Sequence, residues 1–323
     1  MAETAITTTA ENFPTMRKRS NFWTSFFRRL IKEKPLGTVG GVICLILLLV
    51  GIFANFLAPY GYDEIHPTDS LARPSIKYPL GTDNLGRDQL SRIIYGARLS
   101  VIVGFAATTF SIVISVFIGL TTGYYGGKYD LLVQRIVDAW MCFPGLIILI
   151  VAVSFIGPGM WQIIIILGLQ YGIAGSRIVR GAVVTTRENM YIEAARSAGA
   201  TSTRMLLRHI LPNIMAPIII LFTTRLGAVI LAEASMSFLG LGIPPPAPSW
   251  GGMLSGTGRS YMLMAPWIAI FPGIALSIVV YGINVFGDAV RDLLDPRLRG
   301  GGGRYTLESK KDKKRKKKMK KQR

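Results

Sequence analysis

The stretch Arg187-Glu188-Asn189-Met190-Tyr191-Ile192-Glu193-Ala194-Ala195-Arg196-Ser197-Ala198-Gly199, running on to Leu211-Pro212-Asn213, is polar and separates two long apolar runs. Tyr191 to Ala198 is rich in helix formers, and Gly199 is placed to end a helix. Thr201 or Ser202 can cap a second one, which Pro212 ends or kinks before the next apolar run. The expectation is helix, turn, helix beside a membrane. Small Ala194 and Ala195 let the first helix sit close against a partner, while Glu193 and Arg196 supply charges that fix its register.

The rest of the chain supplies the membrane. Half of its 323 residues are hydrophobic, with a mean hydropathy of +0.41, which excludes a soluble enzyme of ordinary composition. Crossing roughly 30 Å of hydrocarbon takes about 20 apolar helical residues. Six stretches qualify: Leu36 to Leu57, Leu99 to Thr121, Leu131 to Ile156, Trp161 to Val179, Ile214 to Ala232 and Pro266 to Phe286. Their unbroken Ile, Leu and Val content favours helices over alternating barrel strands, so the fold class is all-α and polytopic. The first stretch reads as a retained span rather than a cleaved signal. Glycines four apart, Gly37/Gly41, Gly119/Gly123 and Gly168/Gly172, permit close helix approach.

Charge sets the expected orientation, because cytoplasmic loops are enriched in Lys and Arg. With the N-terminus inside, 29 basic residues fall on the cytoplasmic side and five, Arg73, Lys77, Arg87, Arg92 and Arg259, fall in the outside loops, with Arg98 at the edge of the second span. Both termini are therefore expected in the cytoplasm. The net charge of +19 is uneven, since Lys310 to Arg323 alone holds 11 basic residues and one acidic one. That distribution does not describe a specific nucleic-acid-binding surface. The run is expected to be disordered, with anionic lipid as a possible contact.

Several chemistries are poorly supported. Cys44 and Cys142 lie inside apolar runs, and His66 and His209 are far apart, so neither a disulfide framework nor a metal centre is expected. No phosphate-binding Gly-rich loop occurs; Gly126-Gly127-Lys128-Tyr129 lacks the leading Gly and the hydroxyl. No catalytic residue is assigned.

The spacing Glu193-Ala194-Ala195, three residues, Gly199, nine residues, His209, one residue, Leu211-Pro212 resembles the EAA loop of ABC importer permeases, with His209 where the pattern has Ile. Outside this loop, Gly81-Thr82-Asp83-Asn84-Leu85-Gly86-Arg87-Asp88 is similar to the GTDxxGRD signature of the dipeptide, oligopeptide and nickel branch. Ser237 to Gly242, Pro248-Ser249-Trp250-Gly251 and Leu294-Asp295-Pro296-Arg297 resemble further segments of it. The resemblance implies a type I importer fold with an additional N-terminal span before a five-helix core. It also implies a homologous second permease, two ATPase subunits that use ATP and Mg, and an external substrate-binding protein, with no cofactor on this chain. The expected organisation is a cytoplasmic tail over 1–35, a span and external loop over 36–98, a core over 99–299 with the coupling loop at 187–213, and a lysine-rich tail over 300–323. Tyr191, Glu193, Ala194, Ala195, Arg196, Gly199, His209, Leu211 and Pro212 are the expected coupling residues. Peptides are the expected cargo; nickel or another small solute, and an ion-gradient-driven transporter using buried acids, are the alternatives.

Charges within spans cost about 2.5–3.5 kcal/mol at the bilayer centre and need a task. Asp138, Arg225 and Glu233 are expected to face the bundle or its pathway. Arg135 and Asp138 are placed to pair on one helix face, Pro144 to kink that helix, and Arg177 and Arg180 to snorkel. In the outer loop, Gly81, Asp83, Gly86, Arg87 and Asp88 read equally as a self-bonded turn and as a docking surface. Trp250 is expected at the membrane interface.

Overall fold

In a computed structural model, which describes residues 22–294, the chain is a bundle of helices with no strand among the described residues. The lysine-rich tail, residues 1–21 and the Asp295-Pro296-Arg297 segment lie outside the described residues. The helices in order are α1 (Phe22–Glu33), α2 (Pro35–Ile52), α3 (Ala54–Leu57), α4 (Gln89–Tyr125), α5 (Gly127–Met141), α6 (Gly145–Ile156), α7 (Met160–Arg187), α8 (Met190–Ser197), α9 (Ser202–Arg204), α10 (Met215–Phe238), α11 (Trp250–Leu254), α12 (Gly256–Tyr261) and α13 (Trp267–Leu294). Residues 202–238 form one helical run of 37 residues.

The central pair is α4 with α7, and small residues explain how closely they pack. A Cβ on Gly119 would lie 2.6 Å from the Val179 Cβ, and one on Gly172 would lie 2.8 Å from the Ile114 Cβ. Ser115 Oγ donates to the Gly172 carbonyl at 2.8 Å. Because residues 110, 114, 119 and 123 meet 168, 172, 179 and 183 in that order, α4 and α7 run parallel. Two parallel neighbours need a return path across the bundle. Only α5 and α6 lie between them in sequence.

That return path corrects the expectation of one continuous helix from Leu131 to Ile156 kinked at Pro144. The helix breaks completely, and α5 and α6 meet at 88°. Pro144 is the residue that precedes α6, with extended backbone (ψ 126°). Its ring disfavours helical backbone at Phe143, and it has no N–H to offer the α5 ladder. Since α5 starts where α4 ends and α6 ends where α7 starts, the broken pair is a crossing. There are thus six crossings among the described residues, five by unbroken helical runs.

The remaining helices pack around this centre. Val103, Ala107, Leu167, Val229 and Met236 form one buried cluster joining α4, α7 and α10, and Leu47, Leu226, Ile230, Val279 and Ile283 form another joining α2, α10 and α13. Helix α2 runs antiparallel to α13: a Cβ on Gly37 would meet Ala289 at 2.2 Å, and one on Gly40 would meet the Phe286 nitrogen at 2.8 Å. Outward faces remain apolar, with Leu36, Val39, Val113, Phe117, Phe155 and Trp161 all exposed. A polytopic chain in hydrocarbon shows this surface.

Candidate functional site

An exposed elbow stands at the end of the bundle where α4 and α7 finish. Arg187 closes α7 and donates from Nη1 to the Tyr124 carbonyl at 2.8 Å, fixing the exit point against α4. After two intervening residues α8 begins. Of its side chains only Ile192 is buried, at 1% exposure. It enters a cluster with Leu120, Val179, Val183, Met205, Ile210 and Ile214, so one side chain seats the helix on α4, α7 and the foot of α10. Burying an Ile contributes about 1.5–3 kcal/mol. Ala195 packs against the same cluster, whereas Met190, Tyr191, Glu193, Ala194 and Arg196 face outward.

Gly199 ends the helix in the left-handed region at φ +82°, where a Cβ would be strained although nothing crowds it. The Ala200 N–H donates back to the Ala195 carbonyl at 3.1 Å, as in a Schellman closure. Thr201 then caps α9, accepting from the Arg204 N–H at 3.4 Å. From Met205 to Ile210 the chain forms a π-helical segment containing His209, and Leu211-Pro212-Asn213-Ile214 tightens into a 3₁₀ turn. The Pro212 position expected to end or kink the second helix is therefore the tight turn before α10. The preceding wide turns carried no sequence signal. Beside the elbow is a polar cleft of about 600 Å³, lined by Tyr124, Arg187, Asn189, Glu193 and Arg196 among others.

Ion pairs join α5 to α7 at the same end. Arg180 makes two parallel hydrogen bonds to Asp130, with Nε to Oδ1 at 2.6 Å. Arg177 Nη2 contacts Asp138 Oδ1, while Arg135 lies 3.7 Å from the other oxygen of Asp138. Asp138 thus has a nearer partner than its own-helix neighbour, and Arg177 and Arg180 are ion-paired rather than snorkelling alone. Higher in the bundle, the Arg225 guanidinium stands over the Tyr171 ring at 5.4 Å. Glu233 is 2% exposed, and Ser237 Oγ donates to it at 2.7 Å. No two of Asp138, Arg225 and Glu233 form a salt bridge among the described residues.

At the opposite end, the motif from Gly81 to Asp88 holds itself together. Asp83 Oδ1 accepts from the Leu85 and Arg87 N–H groups at 2.9 and 3.0 Å, and Oδ2 from Arg87 Nε at 2.7 Å. Asp88 caps α4 by accepting from the Ser91 N–H at 2.8 Å. Gly81 and Gly86 both have φ +77°, and a Cβ on Gly86 would lie 1.8 Å from the His66 carbonyl oxygen. A self-bonded turn therefore accounts for these residues. Nearby, Asp69 accepts from Lys77 Nζ at 2.7 Å and Tyr78 Oη at 2.8 Å. Those two bonds hold the Asp69 carboxyl below the usual range, and the bond to Asp69, followed by Tyr78, pushes the Lys77 ammonium up. The Tyr78 hydroxyl is raised by its own burial and then by Asp69. Trp250 is not an interface residue of the surface: it is 2% exposed, packs on Gly96, and donates from Nε1 to the Ile93 carbonyl at 3.1 Å. The small Gly96 leaves room for the indole, which outweighs the ring's preference for a wet boundary.

Residues 111–300 match the family described as binding-protein-dependent transport system inner membrane component, and residues 21–74 match the N-terminal TM domain of oligopeptide transport permease C. The dipeptide transport system permease protein DppC of Alkalihalophilus pseudofirmus is 40% identical over 277 residues, covering 86% of this chain and 90% of the relative. The glutathione transport system permease protein GsiD of Escherichia coli O157:H7 is 39% identical over 279 residues, covering 86% and 91%. Among solved structures, an inward-facing MetNI methionine ABC transporter chain superposes with a TM-score of 0.51 at 21% identity, covering 64% of this chain and 97% of that one. That likeness bears on the fold alone. With the bundle, the spacing around the elbow and matches over most of the chain in agreement, the protein belongs to the inner-membrane permease components of binding-protein-dependent ABC importers.

Proposed function

We propose that this permease carries peptides, and that α8 with Gly199 and the segment to Pro212 is the elbow through which separate ATPase subunits drive it. The observation that carries the reading is the contrast within α8: Ile192 is sealed into the bundle core while Tyr191, Glu193, Ala194 and Arg196 are left outside. A helix attached through Ile192, with Ala195 packed beside it and the remaining face open, has an outer face for a partner's groove. Because Ile192 shares its cluster with α4, α7 and the start of α10, movement of the elbow is passed to three crossings. The dipeptide and glutathione relatives support a peptide cargo over nickel.

In this account the chain holds and opens a pathway and has no catalytic step of its own. ATP with Mg acts on two partner ATPases, whose approach moves the elbow and favours one arrangement of the crossings over the other. A homologous permease completes the pathway and an external binding protein delivers cargo. Both termini are assigned to the cytoplasm from the charge bias and the even number of crossings. The test is uptake of a labelled dipeptide by proteoliposomes containing all partners. Uptake is expected to need ATP hydrolysis and the binding protein and to survive an ionophore; uptake abolished by the ionophore and indifferent to ATP would overturn the reading.

A further inference from the structure

The segment expected as tail contains an ordered helix, α1, whose surface divides into stripes. Successive residues turn by about 100°, so Phe26 and Leu30 share one stripe, Phe27 and Ile31 the next, and Arg28 and Lys32 the third. The first stripe is spoken for: Leu30, 4% exposed, packs with Phe26, Phe286, Ala289 and Leu293 at the end of α13. Lys34 Nζ holds Asp292 at 2.6 Å, and Thr38 Oγ1 donates to the Leu30 carbonyl at 3.0 Å. These contacts fix α1 to the bundle, which fixes the direction of its other stripes.

The second stripe stays open, with Phe27 at 54% and Ile31 at 61% exposure. Beside it, Arg28 and Lys32 are exposed, while Arg29 lies on the far side of α1 in one stripe with Glu33. One residue, Lys34, separates α1 from α2. The first turns of α2 carry Leu36 at 67% and Val39 at 54% exposure on the outward side of a membrane crossing. Along the chain, the open apolar stripe of α1 therefore leads directly into a lipid-facing surface, at the level where that crossing leaves the hydrocarbon. A helix with an apolar stripe at this depth and cations beside it matches the chemistry of a headgroup boundary.

We propose that α1 is an interfacial helix that seats Phe27 and Ile31 in the boundary of the adjoining leaflet and binds anionic lipid headgroups through Arg28 and Lys32. Each cation near an anionic surface shifts the equilibrium severalfold, so two together give at least about a tenfold preference for an anionic leaflet.

The test uses the full-length chain, with Cys44→Ala and Cys142→Ala, reconstituted in vesicles of phosphatidylcholine alone or mixed with phosphatidylglycerol. A fluorophore is placed by Ile31→Cys, and an aqueous reference by Ser197→Cys at the same end of the bundle. In the phosphatidylglycerol vesicles the label at position 31 is expected to be quenched by headgroup-level nitroxide lipid. It is also expected to be shielded from a water-soluble quencher about tenfold more than the reference. That shielding is expected to fall in phosphatidylcholine alone, and likewise with Arg28→Gln and Lys32→Gln together. Equal aqueous quenching at both positions would overturn the proposal. So would shielding without lipid quenching, which would mean protein covers the stripe, or shielding indifferent to phosphatidylglycerol.

Discussion

Arg180 grips Asp130 through two parallel hydrogen bonds although 50 residues separate them, and this fork ties the broken crossing α5–α6 to the central helix α7. Bidentate geometry is a property of guanidinium that an ammonium does not reproduce. Arg180→Lys is therefore expected to recover little of the loss seen with Arg180→Gln. The Arg180 side chain is 34% exposed and Asp130 15% exposed, so the loss is set near about 1–2 kcal/mol, below the 3–5 kcal/mol typical of fully buried pairs. Thermal unfolding in detergent of Arg180→Gln, Asp130→Asn and the double variant closes the cycle. Additive losses would mean that the pair contributes no coupling.

Gly199 tests the elbow by backbone alone. Nothing lies within 4 Å of a Cβ there, so Gly199→Val introduces strain at φ +82° without a clash. The left-handed conformation costs a non-glycine residue roughly 1–2 kcal/mol. The variant is expected to insert and assemble while its dipeptide uptake per ATP hydrolysed falls. Wild-type coupling from a stably expressed Gly199→Val chain would remove the elbow from the mechanism.

Helix contact is tested at Gly119. Its Cβ would meet the Val179 Cβ at 2.6 Å and the Arg180 backbone nitrogen at 2.8 Å, whereas one at Gly181 meets nothing within 4 Å. Gly119→Ala is expected to destabilise by about 1–3 kcal/mol through overpacking. Gly181→Ala is expected to be neutral or slightly stabilising, since Ala is the better helix former. Matching melting temperatures for the two variants would contradict the parallel α4–α7 contact.

The outer loop carries a pH dependence through Asp69. Its carboxyl titrates lower when folded, because it accepts from Lys77 and Tyr78. The stabilisation is therefore present above the ordinary aspartate pKa and is lost as pH falls through the lowered folded value. Hydrogen exchange around residues 69–78 is expected to speed up on acidification into that window, and Asp69→Asn to flatten the response. An unchanged profile in Asp69→Asn would show that another group governs the loop.

What the sequence made legible follows from which interactions are local. The apolar runs located all six crossings, because hydrocarbon demands length and composition that no other context requires. Gly199 was readable as a helix stop from its neighbours, whereas Asp88, which caps α4, was legible only as part of the turn before it. The 88° break at Pro144 was only half visible: the proline announces a disturbance, but its size depends on α4 and α7 being parallel, a fact carried by glycines far away in sequence. Arg180–Asp130 and Arg177–Asp138 were missed because partners on separate crossings leave no spacing to count. Trp250 was misplaced because the small Gly96 that admits its indole is distant in the chain. Phe27 and Ile31 lay within a segment read as tail, where charge drew attention from the four-residue repeat of apolar positions.

The central claim concerns where Ala194 points and what meets it. Ala194→Cys in an otherwise cysteine-free chain, expressed with its ATPase and permease partners, is to be crosslinked in sealed membranes with a short bifunctional thiol reagent against cysteines placed along the ATPase surface. The account predicts a crosslink to one ATPase groove whose yield changes when ATP is bound, with Ala194→Cys closed to impermeant reagents from outside. Labelling from the exterior face, or no ATPase adduct in either nucleotide state, would contradict it.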